Sequence, residues 1–512
     1  MVEEKIFMQQ IISSAAVRRC EQANFDAKLA TPEGLMKIAG DNCTGEFLKF
    51  ATQYLYKRIV IFAGKGNNGG DGVVIAGNLA AMQDVPVVLA LAADASELSS
   101  CSKYFFEQLD RRVCVTAAGE IELQNSDIVI DALLGTGCHS PMREPYRSLI
   151  NKINEANLPV FAVDLPSGLG SDLCVRADFT ATIGFFKTEL FQAAGIENCG
   201  NLRRVELPLT LPPESSEPTI YAADLAWFKA MRQRLLRQIH KYQRGSVVIA
   251  GGSQEYYNAV FLSGRAALRN GAGMVYLALP FAITPHCGTL SLIAQQMPSE
   301  DGSLCEKSFA AMENILKKAS ILAIGPGMGR KNAAGDFVRQ ALACDLPLII
   351  DADAIWHTAN HIELLRQRRN TTVLTPHRGE AATLAKACNI QIDEDDVTFA
   401  RQLAGATGAV ILLKGARTVI ADPDGSIWRN TSGSPALATA GSGDVLTGLI
   451  AAMIAGSGSA NIPETVLQAA FLHGLAGEMG ALKWGESGVT ADDLPELAAQ
   501  ARCRIYNNRD IF

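Results

Sequence analysis

Hydrophobic residues fall in short continuous runs of strand length, and segments with helical spacing separate them. In the first half the runs are Lys57–Ala63, Val85–Leu91, Ile128–Ala132, Val160–Val163 and Phe179–Phe185. In the second half they are Gly245–Ser253, a strand running into a glycine turn, then Met274–Leu279, Ser320–Ile324, Leu346–Ile350, Thr371–Leu374 and Ala409–Leu413. Repeated strand–helix alternation predicts parallel sheets with helices on both faces. Thr418–Ala421 and Ser426–Arg429 flank the turn residues Asp422–Gly425 and predict a hairpin. Helical spacing predicts helices within Gln9–Ala30 and Glu33–Phe50, which read as structural, a lid or a dimer surface. It also predicts them over Ala259–Arg269, Glu464–Gly480 and Thr490–Arg504. Ala223–Gln243 carries Arg and Lys in a helical pattern and reads as a solvated face.

Leu207–Pro218 breaks this alternation with prolines, serines and no periodicity, as a domain boundary does. The expectation is an α/β chain of two domains, 1–217 and 218–512. The first is a Rossmann-like parallel α/β domain. The composition, 48% hydrophobic and 19% charged, suits packed cores. A net charge of −7 leaves no basic footprint for nucleic acid. The 12 cysteines and 7 histidines are scattered without a C-x-x-C pair, which argues against structural zinc and suits a reducing cytoplasm. Met1–Lys5 is acidic and no signal-type block follows. The greasiest stretch, Val445–Ala455, is far short of the roughly 20 residues that span a bilayer, so no membrane partner is expected.

The chemistry gathers where apolar runs end. Gly64–Gly72 joins a strand to a helix expected from Val73, a phosphate-cradling arrangement. It matches neither the Walker pattern nor the dinucleotide fingerprint, and Asn67, Asn68 and Asp71 make its floor polar. Asp131–Gly137 and Asp164–Gly168 also follow strands, at the ends where such sheets bind ligands. In the second half, Gly251–Ser253, Gly325–Gly329, Asp351–Asp353, Thr375–His377 and Lys414–Thr418 close successive runs. Gly441, Ser442 and Gly443 lead into an apolar helical segment with Asp444 at the joint. Free N–H groups and the helix dipole would hold an anion there beside a carboxylate. An ordinary Asp cap is the alternative.

Together these motifs resemble the fused NAD(P)H-hydrate repair enzymes over nearly the whole length. Gly64–Gly72, Asp131–Gly137 and Val163–Gly168 look like the family's epimerase motifs. Gly251–Ser253, Gly325–Gly327, Asp351–Asp353, Leu374–Glu380 and Gly441–Asp444 look like its dehydratase, a ribokinase-like α/β domain. The resemblance implies that Asn67, Asn68, Gly69, Gly70, Asp71, Gly135, Thr136, Gly137, Cys138, His139, Ser140 and Pro141 hold the hydrated nucleotide, with Asp164 as substrate-contacting base. Asn68, Asp131 and Ser167 would supply oxygens to potassium. Ala259, Gly327, His377 and Asp444 would contact the hydrate in the second half, with Asp444 catalytic. Lys414, Gly415, Ala416, Arg417, Thr418 and Gly443 would contact ADP, which brings Mg²⁺. Two positions depart from the family. Asn258 stands where Gly is usual, and Phe186–Leu190 alters the usual Lys-Pro-Gly-Leu, so Lys187 is not assigned to the site. A cytoplasmic homo-oligomer is expected. A ribokinase-like small-molecule kinase with an N-terminal nucleotide-binding domain is the alternative reading.

Overall fold

A computed structural model describes residues 8–138, 140–209, 219–232, 234–281, 283, 291–457 and 461–507. Internal contacts divide the chain into two compact units between Asp224 and Leu225. His139 and residues 210–218, which hold most of the expected linker, lie outside the described residues.

The first unit is built on seven parallel strands. Their spatial order is Cys114–Ala117, Val87–Leu91, Arg58–Ala63, Asp127–Ala132, Val160–Val163, Phe179–Ile183 and Asn201–Val205. The central strands are buried on both faces, which explains their unbroken apolar runs. Ile59, Ile61 and Phe161 pack under the helix Pro32–Ala51, with Phe47 edge-on to Phe161 at 5.5 Å. Thr31 starts that helix by accepting from the Gly34 N–H at 3.1 Å, and Pro32 supplies a preset φ. Val60 and Phe62 face the opposite layer, with Leu149 and Ile150. The chain enters at Arg58–Ala63, builds outward on one side, then returns to Asp127–Ala132 on the other. Strand order reverses between these two neighbours, so a crevice opens beyond their carboxyl ends.

Three expectations change here. Gln9–Ile12 is a strand, antiparallel to Ile220–Ala222 and parallel to Phe186–Lys187, and only Ser14–Asp26 is helical. Phe179–Phe185 shortens to Phe179–Ile183, because Gly184 turns the chain away at φ 73°. The helix expected from Val73 begins at Asn67. Its glycines serve close packing rather than a loose loop. A Cβ on Gly69 would stand 1.8 Å from the Gly64 carbonyl oxygen, and one on Gly70 2.5 Å from Met36 and Ser102. Asn68 and Asp71 thereby sit three apart on the first helical turn, on one face.

The second unit repeats the device. Ile293–Met297, Met274–Pro280, Ser246–Ala250, Ile321–Ile324, Leu348–Ile350, Thr372–Leu374 and Val410–Leu413 are parallel neighbours in that order. The hairpin Val419–Ala421 and Ile427–Arg429 continues the sheet antiparallel. The order reverses between Ser246–Ala250 and Ile321–Ile324, again opening a crevice at strand carboxyl ends. Ala223–Gln243 is not one helix. Among its described residues only Leu225–Ala230 coils, and turns follow. Leu235 and Leu236 are exposed there, so no buried face supports the helical pattern. Among the described residues no helix is long and apolar enough to cross a membrane.

Candidate active sites

The crevice of the first unit is a cavity of about 690 Å³. Lys65–Asn68 and Asp71 enter it from the first helical turn, Leu133–Cys138 from the next strand end, and Asp164 and Lys187 from the far side. The helix Ser14–Asp26 closes it with Arg18 and Glu21. Arg18 donates to the Thr136 carbonyl at 2.8 Å, tying that helix to the 133–138 loop.

Asp164 ends its strand in a left-handed conformation, φ 66°, which is strained for a non-glycine residue. Its carboxylate accepts from the Ile183 N–H at 3.1 Å and from the Lys187 ammonium. Lys187 is 1% exposed and also donates to Thr182 Oγ1 at 3.1 Å and to the Ile183 carbonyl. Burial, then the Asp164 and Glu21 charges, push the Asp71 carboxyl well up. Glu21 is pushed up by burial and by Asp164. In this lining Asp164 is thus firmly paired, while Glu21 and Asp71 resist ionisation.

Below this floor, Asp131 is fully buried. It accepts from the Ser167 N–H at 2.7 Å, the Ser167 hydroxyl at 2.6 Å and the Leu133 N–H at 3.2 Å. Burial nevertheless pushes it up to about 6. Both amide atoms of buried Asn68 lack a partner. An orphaned carbonyl oxygen, a hydroxyl and a costly carboxylate are a donor set for a hard cation.

Gly135, Thr136, Gly137 and Cys138 line the cavity. Gly69 and Gly70 are turned into packing contacts, and Ser140 and Pro141 are exposed outside the lining. Glu21 and Arg18 line the cavity and were missed by sequence reasoning, and Lys187, which that reasoning left out of the site, lines it too. Lys187 carried a signal, a lone cation straight after an apolar run. Glu21 carried none, since nothing in a mixed helix says which side meets a cavity.

In the second unit the helix Ser442–Ser457 follows Gly441, whose φ is 91°. Ser263 Oγ donates to the Ala259 carbonyl at 3.1 Å and to the Asp444 carbonyl at 2.8 Å, fixing those two residues together. Asn258 begins the helix Asn258–Arg269 without positive φ, so the position does not demand glycine. Gly327 does, at φ 61°, with a would-be Cβ 1.9 Å from the Tyr256 carbonyl oxygen.

Asp351, which the sequence places in a strand-end motif without a role, organises the polar centre. It is 1% exposed and accepts from Thr375 Oγ1 at 2.7 Å, Thr447 Oγ1 at 2.8 Å and Lys414 Nζ at 3.0 Å. Burial would raise its pKa, but Lys414 and the two hydroxyls outweigh it and hold the carboxyl below its usual range. Lys414 stays charged, since Asp351 and Glu380 outweigh its own burial. A Cβ on Gly443 would lie 3.5 Å from Lys414 Nζ. Asp444 is pushed up to about 7 by burial and by Asp351, against the pull of Lys414. A carboxylate that titrates near neutrality beside an ammonium and a helix N-terminus is suited to general-base work on a bound anion.

His377 pairs with Lys414 across adjacent strand ends and caps the helix Arg378–Ala387, its Nδ1 accepting from Gly379 N–H at 2.9 Å. Gly415 and Ala416 form an exposed turn closed by Thr418 Oγ1, which donates to the Gly415 carbonyl at 3.0 Å. Arg417 points inward and donates to the Thr431 carbonyl.

A family model described as NAD(P)H-hydrate dehydratase matches residues 247–499, and one described as YjeF-related protein N-terminus matches residues 32–189. A protein of Moorella thermoacetica named bifunctional NAD(P)H-hydrate repair enzyme Nnr is 35% identical over 468 residues, 87% of each chain. One of the same name from Gloeobacter violaceus is 33% identical over 96% of this chain and 98% of that protein. Among solved structures, a ribokinase-like superfamily protein from Enterococcus faecalis aligns with 56% of this chain and 95% of its own, at 23% identity and TM-score 0.47. The ADP/ATP-dependent NAD(P)H-hydrate dehydratase from Bacillus subtilis, co-crystallised with ATP/Mg²⁺, aligns with 56% and 96%, at 25% identity and TM-score 0.45.

Proposed function

The chain belongs to the bifunctional NAD(P)H-hydrate repair enzymes, and on that footing we propose that its two clefts carry out consecutive steps on hydrated NADH and NADPH. The first unit interconverts the R and S hydrates. The second removes water from the S form, using the terminal phosphoryl of ADP and releasing AMP and phosphate. The observation that carries this reading is Asp444, a base poised near neutrality at a helix start beside Lys414.

The hydrate carries a hydroxyl at C6 of the reduced ring, and hydroxide leaves poorly. Asp444 takes the hydroxyl proton while that oxygen attacks the terminal phosphoryl of ADP. Amides of the Gly441–Gly443 turn and the Lys414 ammonium meet the charge on the moving group. Such preorganised donors are worth roughly 2.7–4 kcal/mol each in other enzymes. Phosphate then departs from C6 as C5 loses a proton to solvent, and the C5–C6 double bond returns. Mg²⁺ would neutralise nucleotide phosphates.

In the first unit Asp164 is the substrate-contacting base, paired with the Lys187 ammonium. Asn68, Asp131 and Ser167 would hold potassium. Its charge would offset the buried Asp131 carboxyl and satisfy the unpartnered Asn68 oxygen.

The test uses the full chain and both epimers of NADH hydrate. Without ADP, chromatography should show R/S exchange and no NADH. With ADP, the NADH absorbance should return. A chain that does neither is not this enzyme.

A further inference from the structure

The helix Ser14–Asp26 brings a carboxylate into a cavity that already holds the base. Glu21 shares the lining with Asp71, Asp164 and Lys187. Arg18, one turn earlier on the same helix, bonds the Thr136 carbonyl, and the Ser14 N–H donates to Glu189 Oε1 at 3.2 Å. The helix is thus pinned across the opening at both its start and its middle, with Glu21 directed inward.

The lining also holds Glu144, Lys65, Arg18 and Arg143, and within it Glu21, Asp71 and Asp164 interact with one another and with the Lys187 ammonium. Lys187 spends its charge on Asp164. At Glu21 burial and the Asp164 charge outweigh the pull of Lys187 and Arg18, and at Asp71 burial with the Asp164 and Glu21 charges outweighs Lys187, so ionising all three is unfavourable. The cluster therefore keeps a proton on Glu21 or Asp71 while Asp164 is paired with Lys187. Asp71 is buried at the rear of the first helical turn, and Glu21 is the more open of the two that can carry that proton. Epimerisation at C6 needs such a division. If the C6–O bond breaks, the hydroxyl must receive a proton. If oxygen returns from the other face, water must lose one.

Resting on the epimerase reading above, we propose that Glu21 is the proton donor of the first unit and that epimerisation proceeds by loss and return of water at C6. The N1 lone pair forms a C6–N1 double bond as the C6–O bond breaks, and Glu21 protonates the departing hydroxyl to give water. Water then adds to C6 on the opposite face. The electron pair of the C6–N1 π bond returns to N1, and Asp164 takes the proton. Proton transfer from Asp164 to Glu21 within the cluster restores the starting state. No redox partner is needed, since the ring regains its original oxidation level.

The experiment uses the full chain, the separated R epimer of NADH hydrate, no ADP, and water enriched in oxygen-18. The wild type should incorporate one label for each exchange to S. Glu21→Gln should slow exchange about 100-fold or more at saturating substrate with little change in KM, the scale on which general acids act. Glu21→Asp should recover part of the rate. A wild-type rate in Glu21→Gln, or exchange in the wild type without label, would overturn the proposal. So would a loss confined to KM, which would make Glu21 a packing or binding residue. Failure of the wild type to exchange R and S at all would instead overturn the epimerase reading. Circular dichroism and the thermal midpoint of Glu21→Gln establish that the variant is folded. Should it not fold, the wild-type label decides whether water departs and returns, and Glu21→Asp decides the role of the side chain. Its exchange should fall in rate at unchanged KM, and a wild-type rate there would overturn the proposal.

Discussion

At the residue scale, Asp351, Lys414 and Asp444 form one electrostatic unit. Asp351 raises the Asp444 pKa and Lys414 lowers it, so the buried carboxylate partly cancels the lysine and leaves a usable base. Asp444 must be ionised to accept a proton. The dehydration rate should therefore rise with pH through about 7, the value to which that carboxyl is pushed. Asp351→Asn removes the like charge and frees Lys414 for Asp444, so the acid limb of the pH–rate profile should move to lower pH. An unmoved limb would show that Asp351 does not tune the base. Stability carries the opposite sign. Between the ordinary carboxyl value and about 7 the native state binds more protons at Asp444 than the unfolded chain, so this residue's contribution falls as pH rises through that window. Asp444→Asn should consequently unfold at a higher temperature than wild type at alkaline pH, with the gap closing in acid. The gain is on the order of 1–4 kcal/mol. In the other cleft, Lys187→Met removes the ammonium that pairs with and positions the Asp164 carboxylate. Epimer exchange should fall by about 100-fold while S-form dehydration is unaffected, as parallel assays of one preparation would show.

At the element scale, the two crevices arise from the same rule. Each sheet reverses strand order once, and the loops beyond that point carry the polar residues. The apolar runs made these strands legible, because both faces of each are buried. Strands that lack such runs were not. Cys114–Ala117 is largely exposed, Asn201–Val205 carries two arginines, and Ile293–Met297 is half polar. The start of the helix Asn67–Met82 was misplaced for a different reason. Glycines weaken a helix by local propensity, but here the missing side chains permit contacts that tertiary packing rewards. Gly69→Ala tests this directly. Its methyl group would collide with the Gly64 carbonyl oxygen, so the helix start must move. We expect a loss of roughly 1–3 kcal/mol in denaturant unfolding of the first unit, the scale of overpacking, and loss of epimer exchange. Unchanged stability and exchange would mean that the close approach is not needed.

At the scale of the whole molecule, the two α/β units and most chemistry-bearing strand ends could be read from the chain. The gaps in that reading have a common cause. Glu21, Lys187 and Asp351 act through neighbours far away in sequence, and spacing along one segment does not reveal which partners the fold supplies. Each unit has its own sheet and its own polar cleft, so the two activities should separate by single substitutions. Asp164→Ala should leave a mixed sample of NADH hydrate with its S fraction repaired quickly and its R fraction lagging. The most direct test follows the return of NADH absorbance from both epimers with ADP, from about pH 5 to about pH 9, in wild type and Asp444→Asn. Wild type should restore NADH at a rate that climbs through about pH 7, while Asp444→Asn restores none and still exchanges R and S. ADP-dependent recovery by Asp444→Asn at the wild-type rate would contradict the assignment of Asp444 as the base.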